Sequence, residues 1–91
     1  MKLYEAITAE NWIQGGGGFD VDGRERLCLG LRMQKMYDDA FDRGIVDRIE
    51  AAITALFPYR VGRSAIVLVK FNDHPDTTVE DIIRVCKVAD V

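Results

Sequence analysis

A mainly helical fold is what this sequence predicts, on three observations. Apolar residues recur at spacings of three and four over most of the chain. Glycine and proline punctuate those stretches at Gly15–Gly18, Gly44 and Pro58. Only one segment, 64–71, is dense in β-branched residues. The pattern predicts about four helices, over 3–13, 28–42, 45–57 and 78–90. A short hairpin or extended structure is expected at 19–27 and 64–71. If those two extended stretches pair, the class becomes α+β.

Each element has its own signal. In 3–13, Leu3, Ala6, Ile7 and Ile13 form one stripe, and Gly15 to Gly18 end the helix at about 1 kcal/mol per glycine relative to alanine. Asp22-Gly23 suits a tight hairpin turn, because both turn positions need positive φ. Leu29, Met33, Met36, Tyr37 and Ala40 carry the second helix, and Gly44 stands where a left-handed helix end favours glycine. Ile45, Ile49, Ala52, Ile53, Leu56 and Phe57 then line one side of 45–57, opposite Asp47, Arg48, Glu50 and Thr54. Pro58 stops that helix, and the short link before it predicts that the second and third helices are antiparallel neighbours. The run Ser64 to Phe71 has the length and branching of a buried strand, with the 19–27 region as its only obvious partner. Val79, Ile82, Ile83, Cys86 and Ala89 face inward along 78–90.

The core expected from these faces joins Leu3/Ile7, Met33/Met36, Ile49/Ile53/Leu56 and Ile82/Ile83/Cys86. Ninety-one residues make one domain, and a chain so short buries only about 60–65% of its unfolded surface. Tyr4, Leu31, Val46 and Val85 fall off the main stripes, which predicts a homo-oligomer that covers them.

Composition narrows the function classes. Hydrophobic residues at 48% and charged residues at 30% describe a globular chain rather than a disordered one. The net charge is −3 and the basic residues are interleaved with acids, so no nucleic-acid partner is expected. No apolar run approaches the roughly 20 residues of a membrane span, and Glu5 comes too early for a signal peptide; the expected location is the cytoplasm. Two cysteines and one histidine do not assemble a disulfide scaffold or a zinc site, and Cys28 and Cys86 read as buried thiols on apolar helical faces. No metal and no cofactor are expected.

Several motifs invite chemistry. Gly15–Gly18 lacks the spacing of a phosphate-binding loop. Asp20-Val21-Asp22-Gly23 opens like a calcium loop, without the third ligand or the closing glutamate. His74 has no nucleophile nearby in sequence, so no catalytic residue is assigned. Between residues 71 and 81, Thr78 with Asp81 approximates a capping box and Thr77 with Glu80 fits its pattern. Trp12, Gln14, Asp20, Asn72 and Asp73 remain. They stand at loop ends outside the helical stripes, where binding groups commonly sit. They are the candidate ligand-binding set, with Trp12 as a stacking platform and Gln14 reading a planar edge. Capping, turning and packing would account for the same residues.

Trp12-Ile13-Gln14-Gly15, Asp20-x-Asp22-Gly23-Arg24, Cys28-Leu29-Gly30, Phe71-Asn72-Asp73 and Thr78 with Asp81-Ile82 follow in an order that resembles a small family of unknown function from actinobacteria and their phages. Its members carry Trp before Asn-Asp where this chain has Phe71, and Cys-x-x-Gly-Ala where it has the shorter Cys28-Leu29-Gly30-Leu31. The resemblance implies origin and fold and brings no activity. Three functions are therefore carried forward. The first is a non-enzymatic binding protein, a phage accessory acting on a host protein or small signalling molecule in the host cytoplasm. The second is an oligomeric accessory protein without a ligand. The third is an enzyme built on Asp20, Asn72, Asp73 and His74.

Overall fold

The computed structural model describes residues 1–19, 23–39, 44–62 and 67–91. In chain order it runs α1 (Leu3–Ala6), β1 (Gly17–Phe19), β2 (Glu25–Leu27), α2 (Leu29–Met36), α3 (Ile45–Leu56), α4 (Pro58–Val61), α5 (Val67–Asp73) and α6 (Val79–Ala89). The class is mainly helical, with one antiparallel two-stranded sheet. Among the described residues the helices number six rather than four, and most are shorter than their stripes implied.

The first helix ends at Ala6 instead of continuing to 13. Thr8 N–H donates to Asn11 Oδ1 at 2.9 Å, and Asn11 Nδ2 donates to the Ala6 carbonyl at 2.8 Å. Short polar side chains of this kind offer the backbone a partner outside the helix. Residues 11–13 run along β2 instead. Leu27 N–H donates to the Asn11 carbonyl at 2.8 Å, and Ile13 N–H to the Leu27 carbonyl at 3.4 Å.

The expected 28–42 helix shortens to Leu29–Met36, with Tyr37 in extended backbone at φ −133°. Asp38 and Asp39 follow, and acids are disfavoured at the negative end of a helix. Ala40 lies outside the described residues. Gly44 is left-handed at φ 70°, but it caps the start of α3 and does not close the preceding helix. α3 matches its stripe, and Pro58 both ends it and opens the single turn α4 at a position that tolerates proline. α3 packs chiefly on α6 and α5, not on α2 as the short link suggested. α2 lies against α5, where a Cβ on Gly30 would stand 3.3 Å from Leu68 Cδ2.

The strand expected over 64–71 is a helix in its described part, Val67–Asp73; 63–66 lie outside the described residues. Leu68, Phe71 and Asn72 point inward at helical spacing while Val69 and Lys70 stay exposed. Strand alternation would instead have put Leu68 and Lys70 on one face. Branching costs a helix only tenths of a kcal/mol per residue, whereas fully burying a side chain such as Phe71 gains about 1.5–3 kcal/mol. Burial wins.

At α6, Thr78 is the cap. Asp81 N–H donates to Thr78 Oγ1 at 3.3 Å and Thr78 N–H donates to Asp81 Oδ2 at 3.2 Å, completing a capping box with aspartate. Thr77 is buried and accepts from Arg60 Nη1 at 3.5 Å. The same guanidinium donates to Asp81 Oδ2 at 2.5 Å and lies 4.5 Å above the Phe57 ring, which stacks on Phe71 at 5.2 Å. α4 is thereby clamped to the start of α6.

Leu3, Ile7, Met33, Ile49, Ile53, Ile82 and Cys86 are buried as expected, and Met36, Leu56 and Ile83 pack partly buried against them. Val85, placed off the stripes by the sequence, is fully buried. Tyr4 and Val46 also pack on the core, which leaves Leu31 exposed. Burial pushes the Cys86 thiol up to about 12. Cys28 departs from the expected helical face: it is half-buried at the α2 N-cap. No helix among the described residues is long and apolar enough to cross a membrane.

Ile53→Ala is expected to cost about 2–5 kcal/mol in urea denaturation, since Ile53 is 0% exposed at the centre of the core. A midpoint equal to wild type would show that α3 does not bury this face.

Asp81 generates a pH dependence. Partial burial raises its carboxyl, but hydrogen bonds from Arg60 and the Thr78 backbone, together with the Arg60 charge, hold it below its ordinary 3.8. With the folded-state value the lower one, ionised Asp81 stabilises the fold above about 3.8, and this contribution is lost as pH falls through the folded value. Thermal melts from about pH 6 to about pH 2 should show Asp81→Asn less stable than wild type at the upper end, the gap narrowing below 3.8. A gap constant across that range would remove Asp81 from the acid response.

Candidate functional site

The polar residues singled out in the sequence meet around one buried amide. Asn72 is 1% exposed, on the inner face of α5. Its Oδ1 accepts from Trp12 Nε1 at 2.7 Å and from Leu29 N–H at 3.0 Å. Its Nδ2 donates to the Ile13 carbonyl at 3.2 Å and to Asp73 Oδ1 at 2.9 Å. Both donors and both acceptor sites of the amide are thus used. Asp73 Oδ1 also accepts from Gly15 N–H at 2.7 Å, and Gln14 Nε2 donates to the His74 carbonyl at 2.6 Å.

Local sequence explains how the partners reach one another. Gly15 and Gly16 adopt φ of 80° and 125°, values that carry the loop back so that the Gly15 amide faces Asp73. Cys28 provides no side-chain cap for α2, and Asn72 Oδ1 accepts from the Leu29 amide in its place. Trp12, Gln14, Asn72 and Asp73 are therefore brought together as expected, and Asp20 lies outside the described residues. Most of their polar atoms bond one another or the backbone, so the network joins segment 12–15 to segment 72–74.

A cleft of about 310 Å³ opens beside this network. Gly15 and Gly16 form one wall, Leu31, Leu68 and Val69 another, and Cys28 and Asp73 also line it. Leu31 is 41% and Val69 51% exposed, while Asp73 stands at the surface. The sequence reading set Leu31 off the stripes as an oligomer contact but assigned none of these aliphatic residues to the site. Their signal was present, because Leu31 and Val69 are apolar on the outer faces of their helices. The cleft can take an aliphatic group and present a carboxylate to a donor beside it.

Among the described residues, no group of three or more histidine, cysteine, aspartate or glutamate side chains is placed to hold a metal ion. His74 Nδ1 accepts from Asp76 N–H at 3.1 Å, a turn-forming bond. No protein-family model, curated protein or solved structure matches this chain.

Trp12→Phe keeps an aromatic side chain, smaller than the indole, and removes one donor from the buried Asn72 oxygen, so a loss of about 1–3 kcal/mol is expected in chemical denaturation. Gln14→Ala, at an exposed site, should stay within about 0.5 kcal/mol. Equal, negligible losses would mean that the indole does not serve Asn72.

Proposed function

We propose that this protein is a non-enzymatic binding protein that works by occupancy, with the cleft beside Asn72 as its recognition surface. The observation that carries the reading is an aliphatic cleft backed by a polar network whose central amide, Asn72, is fully bonded. A wall held in this way loses little freedom on binding, which favours affinity. The volume, about 310 Å³, is at the lower end of the range for small-molecule sites, about 300–1,000 Å³. It suits one side chain of a partner or a small ligand better than a large cofactor. Asp73 would accept from a donor or pair with a cation on the same partner.

The resemblance to a family from actinobacteria and their phages bears on origin, and a phage origin would place the partner in the host cell. A phage accessory protein in host cytoplasm would sequester or inhibit a host protein or small signalling molecule. Trp12, Gln14 and Asn72 then act by shaping the cleft, and Asp73 both anchors the glycine loop and faces the partner.

Val69→Asp puts a charge on the exposed part of the aliphatic wall, beside Asp73, at a residue whose side chain makes none of the network's hydrogen bonds. Tagged protein recovered from host cells is examined by native mass spectrometry. Wild type should carry a stoichiometric bound species, and Val69→Asp should melt within a degree or two of wild type and lose it. Wild type recovered alone, or full retention by the variant, would sink the proposal.

A further inference from the structure

The free edge of β1 is the feature that the cleft does not use. Cys28 N–H donates to the Gly16 carbonyl at 2.8 Å, and the partners are Gly17 with Leu27, Gly18 with Arg26 and Phe19 with Glu25. Antiparallel pairs alternate between bonded and unbonded, so Gly16 and Gly18 bond toward β2. Gly17 and Phe19 turn their N–H and C=O groups to the other edge. Leu27 shows the same alternation from β2, sending its own groups outward to Asn11 and Ile13. The outer edge of β2 is therefore covered, whereas no hydrogen bond from a described residue reaches the outer groups of Gly17 and Phe19.

Sheet edges are commonly protected by charge, proline or a bulge. Gly17-Gly18-Phe19 has no charge and no proline, Gly17 is exposed and Phe19 is 74% exposed. Two copies can approach along it without charge repulsion between the strands.

We propose that two copies of this chain pair β1 to β1 across a two-fold axis, forming one continuous four-stranded antiparallel sheet. Gly17 of each copy bonds Phe19 of the other in both directions, using every outward group of both strands. Gly18 meets Gly18 on the axis at an unbonded position, where strands approach to about 4.5 Å and facing side chains lie close together. Phe19 shares its face with Gly17, the face on which a Cβ at Gly17 would meet Leu31 Cδ1 at 3.0 Å and Leu27 Cδ2 at 3.1 Å. The register sets Phe19 of one copy opposite Gly17 of the other. Each ring then covers a glycine and the exposed Leu31 beside it, as aromatic residues do for edge glycines. Self-complementarity of backbone and side chain selects a second copy as the occupant. This pairing goes beyond the cleft reading: Phe19 and Gly18 line no part of the cleft, and the paired ring borders it only at Leu31.

A charge swap at Gly18 tests both interface and register. An added Cβ there meets nothing within 4 Å, and the backbone is outside the left-handed region, so a side chain fits the single chain. Light scattering at tens of micromolar should return twice the 10.2 kDa chain mass for wild type and about 10.2 kDa for Gly18→Lys and Gly18→Glu separately. An equimolar mixture of the two variants should return to the dimer mass, since only the two-fold register puts lysine opposite glutamate. Wild type at monomer mass overturns the proposal, as do charged variants that stay dimeric or a mixture that stays monomeric. Amide exchange on wild type decides the matter without any variant that fails to fold. Gly17 and Phe19 amides should exchange more slowly as protein concentration rises, and rates independent of concentration overturn the pairing.

Discussion

Asn72 brings two donor hydrogens and two acceptor sites into a position that is 1% exposed, and everything on that side of the molecule is arranged to meet them. An unpartnered buried polar group costs about 1–3 kcal/mol, a large fraction of what holds a domain this small together. The four bonds of the amide reach Trp12, Ile13, Leu29 and Asp73, which belong to the N-terminal segment, the start of α2 and the end of α5. The position of β2 depends on it indirectly, because residues 11–13 that cover the β2 edge are held by the same amide. So does the glycine wall of the cleft, which Asp73 fixes through the Gly15 amide.

A second clamp begins at the preceding residue. Phe71 stacks on Phe57, Arg60 also lies over the Phe57 ring, and Arg60 reaches the capping aspartate of α6. The described part of α5 is seven residues, too short to be stable on propensity. Its neighbours define it, with an aromatic and ionic chain on Phe71 and a polar network on Asn72. That explains how a segment carrying the branched residues Val67 and Val69 is helical in a chain that also contains a sheet.

The consequence for function is a division of labour among residues that look alike in sequence. Trp12, Gln14 and Asn72 have the chemistry of recognition groups, yet their polar atoms are engaged with the protein. The groups left facing outward are plainer: Leu31 and Val69 along the cleft, the Asp73 carboxylate, and the bare edge of β1. A bonded polar interior and an aliphatic, hydrogen-bonding exterior are both what the proposed binding role would need.

Helical class, the α3 stripe from Ile45 to Leu56, the α6 cap at Thr78 and most of the core were all legible in the chain itself. Each depends on spacing within a few residues, on a cap three positions away or on a proline that must stop a helix. The gathering of Trp12, Gln14, Asn72 and Asp73 was legible as an association at loop ends, but its meaning was not. Whether Asn72 serves a ligand or the fold is decided by Trp12 and Leu29, which lie 60 and 43 positions away. The same holds for the short α1, where the pairing of residues 11–13 with Leu27 competes with the helix, and for α5, where burial of Phe71 overrode strand propensity. Periodicity and caps are local energies written in the chain. Satisfying a buried amide and choosing which face to bury depend on partners that only tertiary structure supplies.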